Sequence, residues 1–119
     1  ISTTIGLLNT LHTLSLPSNN INGVIPPSLY DMTTLTAINL MNNNLTGTLD
    51  STISKLSSLT SLNLGSNSLT GCIPSDISLL INLTSINLGD MSSTCSVPME
   101  LGRIPHMVHI RMEHNDLVG

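Results

Sequence analysis

The sequence predicts an α/β solenoid: a right-handed superhelix of five coils, with a parallel β-sheet on its concave face and 3₁₀ or irregular turns on its convex face. Three observations predict it. The chain repeats itself every 24 residues without a gap. One short segment of each repeat alternates apolar and polar residues, the period of a half-buried strand. The chain also lacks Phe and Trp and has one Tyr, Tyr30. A globule of this size fills its centre with aromatic rings, whereas Leu, Ile, Val and Met suit a thin, regular stack.

The repeat is legible column by column. Leu11, Leu35, Leu59, Leu83 and Met107 occupy one column. Three places on come Leu14, Ile38, Leu62, Ile86 and Ile110, and two further on Leu16, Leu40, Leu64, Leu88 and Met112. An Asn column follows with Asn19, Asn43, Asn67 and Asn115, interrupted by Met91. Next stand Ile21, Leu45, Leu69, Ser93 and Leu117, then Gly23, Gly47, Gly71, Cys95 and Gly119. Ile1, Ile25, Leu49, Ile73 and Val97 open each unit, trailed by Pro26, Asp50, Pro74 and Pro98. Two more apolar columns, Ile5-Leu29-Ile53-Ile77-Leu101 and Leu8-Met32-Leu56-Leu80-Ile104, complete the core.

Each column has a physical role. Leu-x-Leu segments form short strands, which stack in parallel at about 4.8 Å, so five coils span roughly 24 Å. The column Asn turns inward, where its amide satisfies turn backbone and stacks into a ladder. Gly admits a tight backbone path, and Pro after Ile fixes φ and discourages helix. The pattern is L-x-x-L-x-L-x-x-N-x-L, that of a leucine-rich repeat. The tail Leu69-Thr70-Gly71-Cys72-Ile73-Pro74 resembles the plant-type, 24-residue subclass found in receptor-like kinases, receptor-like proteins and polygalacturonase inhibitors. The chain reads as one domain over residues 1–119, with coils near 1–24, 25–48, 49–72, 73–96 and 97–119.

The fourth coil departs from the pattern at Met91, Ser93 and Cys95, so a distorted loop is expected there. Cys72 and Cys95 fall in adjacent coils, close enough for the Cα window of a disulfide, and a bridge favours an oxidising compartment. The alternative is two buried thiols acting as small hydrophobes.

Candidate binding residues lie on the exposed strand positions, the usual binding surface of a solenoid. Asn39, Asn63 and Asn87 form a neutral central column. The last coil carries the one charged cluster, His109, Arg111, Glu113 and His114, with Asp90 on the coil before. A polar ligand contact and a solvated, self-paired set of charges are both open for it. The spacing of His106, His109 and His114 matches no familiar metal motif, and no metal or other cofactor is expected. Thr46, Thr70 and Thr94, preceded by Asn22, make one ladder; Thr36, Thr60 and Thr84 make another. Such arrays can order water or contact a polysaccharide, although strand preference for β-branched residues also explains them. The sequons Asn44-Leu45-Thr46 and Asn82-Leu83-Thr84 fall in connecting segments flanking the strands, where a glycan reaches solvent. The resembled family is often glycosylated at such places.

Composition narrows the function. Three basic residues against seven acidic ones give a net charge of −4, with no basic stripe for nucleic acid. Polarity comes instead from Ser, Thr and Asn, 44 of 119 residues, as suits laddered surfaces. No apolar run has the ~18 residues of a membrane span, so no membrane contact is expected from this segment. No P-loop, G-x-S-x-G, H-E-x-x-H or paired-carboxylate pattern appears, so the chain is expected to be non-enzymatic. Neither end reads as a capping repeat, which leaves apolar end faces. Two arrangements cover them: neighbouring repeats of a longer ectodomain, or further copies stacked head to tail into a filament. The expected function is recognition of a protein or glycan at the cell surface or outside the cell. The alternatives are a structural filament, or ice or polysaccharide binding through Thr and Asn ladders.

Overall fold

The computed structural model describes residues 1–119. Each 24-residue unit closes one turn because its alternating segment extends while its Pro-led segment winds into a single 3₁₀ turn. Eight strands result: β1 Thr13–Ser15, β2 Asn22–Val24, β3 Ala37–Asn39, β4 Asn44–Thr48, β5 Ser61–Asn63, β6 Ser68–Thr70, β7 Ser85–Asn87 and β8 His109–Arg111. Five of them form an inner, wholly parallel sheet in the order β1-β3-β5-β7-β8. Thr13 pairs with Ala37, Ala37 with Ser61, Ser61 with Ser85 and Ser85 with His109, so this register follows the repeat period.

The far side of the coils carries the five 3₁₀ turns, Thr3–Leu7, Pro27–Asp31, Ser51–Lys55, Ser75–Leu79 and Met99–Arg103. The residue before each is extended and turns the chain into it. Pro26, Pro74 and Pro98 do so with φ near the fixed proline value. Where the column has Asp50 instead, the carboxylate accepts the Thr52 N–H at 2.8 Å and caps the turn. The turns drive Leu29, Ile53, Ile77 and Leu101 into the interior. There they meet the strand leucines in one continuous core of 25 buried residues.

A second sheet, β2-β4-β6, is also parallel and was not expected from the sequence. Its Cα partners are Asn22 with Asn44, Thr46 with Ser68 and Thr48 with Thr70. They lie two residues short of the repeat period, so these strands are inclined across the stack. An isolated bridge between Thr70 and Ser92 extends the sheet onto the fourth coil. Asn44 accordingly begins a strand and does not sit in a connecting segment, although its side chain stays exposed.

The Asn column ties the two sheets together. The Asn67 amide donates to the carbonyls of Leu40 and Leu64, and its oxygen accepts the Leu45 N–H. Asn43 does the same for Leu16, Leu40 and Ile21, and Asn115 for Leu88, Met112 and Ser93. Asn19 differs: it is exposed and reaches only Leu16 and Pro17 of its own coil.

The fourth coil repairs its own irregularity. Met91 is buried where the ladder amide is missing. Ser93, in the place of a core Leu, donates its hydroxyl to the Gly71 carbonyl at 2.9 Å, which meets the cost of burying it. Cys72 and Cys95 form a disulfide, with Cα atoms 5.2 Å apart. Their 23-residue separation fits the slanted register of this side of the coil, where partners are fewer than 24 apart.

Candidate functional site

The exposed face of the inner sheet is built by side chains that turn back on their own strands. Asn39, Asn63 and Asn87 each direct Oδ1 to a backbone N–H two residues on, at Met41, Gly65 and Gly89 respectively. That contact pins the carboxamide. The Asn39 and Asn87 NH₂ groups donate to nothing in the protein, and that of Asn63 reaches only the Met41 sulfur at 3.6 Å. Three carboxamides in adjacent strands therefore present a short row of donors.

Two glycines make this surface possible. A Cβ at Gly65 would lie 2.9 Å from both the nitrogen and the oxygen of the Asn87 carboxamide. A Cβ at Gly89 would lie 3.1 Å from Cδ of Glu113. Side chains of one coil thus lie across the glycine of the coil before, and the centre of the face stays flat.

The charged cluster sits at one end of this row. His109 and Arg111 are the exposed ends of β8, and neither enters an ion pair. Asp90 and His114 meet at 2.7 Å, and the Ser66 hydroxyl donates to the other Asp90 oxygen at 3.0 Å. The hydrogen bond from His114, with that from Ser66, holds the Asp90 carboxyl below the usual carboxylate range. The structure therefore joins Asp90 to His114 but leaves Arg111 free beside Glu113.

Asp90 and His114 belong to one column of the 24-residue repeat. Ser18, Asn42, Ser66, Asp90 and His114 all have positive φ, between 52° and 57°. A non-glycine residue in this left-handed region costs roughly 1 kcal/mol, and Asn and Asp carry it most easily. The conformation ends each inner strand and lifts the side chain to the rim. There Asn42 donates to the Ser18 hydroxyl at 3.1 Å, as Ser66 does to Asp90.

The Thr ladders separate. Thr36, Thr60 and Thr84 donate their hydroxyls to the carbonyls of His12, Thr36 and Thr60, each one coil back. This array is spent on the protein's own backbone. The column Thr46, Thr70, Thr94 is not a row of neighbours, because the outer strands pair 22 residues apart: Thr46 lies beside Ser68, and Thr70 lies between Thr48 and Ser92. Of the sequon residues, Asn44 makes no side-chain bond, and Asn82 sits exposed in a turn with its amide donating to the Ser57 carbonyl at 2.9 Å.

A parallel inner sheet, one 3₁₀ turn per coil and an inward Asn ladder define a leucine-rich-repeat solenoid. The leucine rich repeat family profile matches residues 33–92 and a second such profile residues 10–32; the chain belongs to the leucine-rich-repeat family. A comparison with curated proteins finds no match. Among solved structures, the chain is similar to the plant peptide hormone receptor RGFR1, solved in complex with RGF2. The TM-score is 0.97 at 36% identity, over 98% of this chain and 19% of that one. It is similar to the ectodomain of the receptor kinase SOBIR1 from Arabidopsis thaliana, with TM-score 0.93 and 26% identity over 100% of this chain and 66% of that one. It is also similar to a plant ice-binding protein, with TM-score 0.94 and 29% identity over 98% of this chain and 38% of that one. The chain spans about a fifth of the length of the peptide hormone receptor.

Proposed function

We propose that this chain is a non-catalytic recognition module, working at the cell surface or outside the cell, that binds a protein or peptide ligand on its inner sheet. The observation that carries this reading is the row of pinned carboxamides at Asn39, Asn63 and Asn87, closed at one end by the unpaired Arg111. Carboxamide NH₂ groups donate to backbone carbonyls of an extended chain, and Arg111 supplies a fork for a carboxylate. His109, Glu113, His114 and Asp90 line the same end. The similar plant peptide hormone receptor was solved in complex with RGF2, which supports this ligand class. The Cys72–Cys95 bridge supports an oxidising compartment, and N-glycans at Asn44 and Asn82 fit that placement.

The test is selection from a displayed random-peptide library on the immobilised chain. Peptides that bind the parent chain and lose binding to Asn63→Ala and Arg111→Ala would uphold the reading. Peptides indifferent to both changes would refute it.

A second reading has its own support. The similarity to a plant ice-binding protein, on a chain with few charges and many Thr and Ser, favours a surface that orders water and adsorbs to ice. Retention of the parent chain in a slowly growing ice front, measured against a protein of equal size, tests it.

A further inference from the structure

We infer that, if the chain adsorbs to ice, it does so through the outer sheet β2-β4-β6 and not through the inner sheet. This rests on the second reading above and assigns it a face. The outward residues of this sheet fall into rows set by the strand pairing. Val24, Thr46 and Ser68 make one row, and Thr48, Thr70 and Ser92 make the next. All six are exposed. Neighbours within a row are spaced by strand pairing, about 4.8 Å, and the rows are two residues apart along the strand. This is a net of hydroxyls and methyls in two dimensions. The prism face of hexagonal ice likewise repeats its oxygens in rows in two dimensions.

The face is uncommitted and held in place. Of its hydroxyls, only that of Thr70 donates within the protein, to the Gly47 carbonyl at a long 3.4 Å. The inner sheet differs, because its carboxamide oxygens and preceding threonine hydroxyls are bound to backbone. The methyls are seated against glycines of the next coil. A Cβ at Gly71 would lie 2.9 Å from Cγ2 of Thr48, and one at Gly47 would lie 3.0 Å from Cγ1 of Val24. Both glycines have positive φ, which no side chain adopts without strain. They are therefore fixed in place and leave a seat that limits the rotamers of Val24 and Thr48. A lattice of ordered water is matched only by groups already ordered, since fixing loose side chains costs free energy on contact.

Chemistry favours ice over a polysaccharide as the occupant. Sugar rings stack on exposed aromatic side chains; here the one aromatic residue, Tyr30, is buried. No residue of the net is charged, so nothing on it holds a hydration shell of its own that would compete with the lattice.

The experiment uses the full chain, fluorescently labelled at its N-terminus, in a slowly growing ice hemisphere. The parent chain, Thr48→Lys on the outer face and Ser61→Lys on the inner face are compared, with melting curves by circular dichroism showing that each is folded. The expected result is incorporation of the parent and of Ser61→Lys, and exclusion of Thr48→Lys to the level of a non-binding control. Should Thr48→Lys not fold, Thr46→Lys on the adjacent row replaces it. Loss in Ser61→Lys with retention in Thr48→Lys would overturn the assignment while leaving the ice reading intact. Exclusion of the parent chain itself would defeat the ice reading, and the assigned face with it.

Discussion

The two sheets of this solenoid are made from the same repeat and obey different registers. Inner strands pair 24 residues apart, as Leu14 does with Ile38, whereas outer strands pair 22 apart, as Thr46 does with Ser68. The offset is even, so outward and inward faces are preserved from strand to strand despite the slant. The consequence is chemical. On the inner side identical columns stack directly and bond to each other's backbones, as in the Thr36, Thr60, Thr84 ladder. On the outer side unlike columns become neighbours and, Thr70 apart, their hydroxyls stay free. A repeat period reports how many residues complete a coil; which residues touch across coils depends also on the tilt of each strand.

This contrast can be tested by stability measurements, taken from the largest effect downward. Replacing Cys72 and Cys95 together by Ser is expected to cost about 3 kcal/mol in urea unfolding, as a loop of this length implies. Hydrogen exchange should show the loss concentrated at the Thr70–Ser92 bridge, with β5 and β7 still protected. Uniform loss across both sheets would mean that the outer sheet is not a separable layer.

Asn67→Ala is expected to cost about 2–3 kcal/mol, because it orphans the buried Leu45 N–H and weakens two carbonyl contacts. Since Asn67 joins inner carbonyls to an outer strand, this change should loosen both sheets together. The same change at the exposed Asn19 should cost under about 1 kcal/mol.

Tyr30 serves as a reference on the convex side, apart from both sheets. Its hydroxyl is buried with no hydrogen-bond partner, although the Asp50 backbone faces it. Burial pushes its pKa up from 10.0 to about 12. An acid whose folded pKa is raised contributes full stability below its unfolded value and loses it as pH rises through the folded value. Stability of the parent chain should therefore fall by about 2–3 kcal/mol between pH 10 and 12. Tyr30→Phe should flatten that decline and change stability at pH 7 by less than about 1 kcal/mol. An unchanged alkaline slope in the variant would show that Tyr30 is not its source.

The smallest effect gives the most direct comparison of the two threonine arrays. Thr60→Val on the inner side removes a hydroxyl bonded to the Thr36 carbonyl and should cost about 1 kcal/mol. Thr46→Val on the outer face removes a hydroxyl bonded to nothing and should leave the melting midpoint unchanged. Equal losses would erase the distinction between spent and free hydroxyls.

Much of the fold was legible because the repeat supplies five aligned readings of each position. The columns of Leu14 and Leu16 marked the inner strands, the Pro26 and Leu29 columns the convex turns, and Asn43 and Asn67 the ladder. The outer sheet is not expected from the repeat although Asn44-Leu45-Thr46-Gly47-Thr48 alternates as a strand should, because its glycine column reads as a tight backbone path. The rim column from Ser18 to His114 is legible in the repeat, but its left-handed backbone is not, since only glycine advertises positive φ in a sequence. In the candidate site, Asn39, Asn63 and Asn87 were legible as a column; that their oxygens are pinned, with the Asn39 and Asn87 nitrogens left without a partner, was not.

The sequence by itself determined the coil, because burial of one apolar column set against one polar column is a local matter repeated at a constant interval. It also determined that Cys72 and Cys95 lie within reach of each other. Only the tertiary structure decided which columns become neighbours, which hydroxyls are consumed and which remain for solvent. Those outcomes depend on strand inclination and on backbone contacts between coils, and these arise from packing the whole stack rather than from any one repeat.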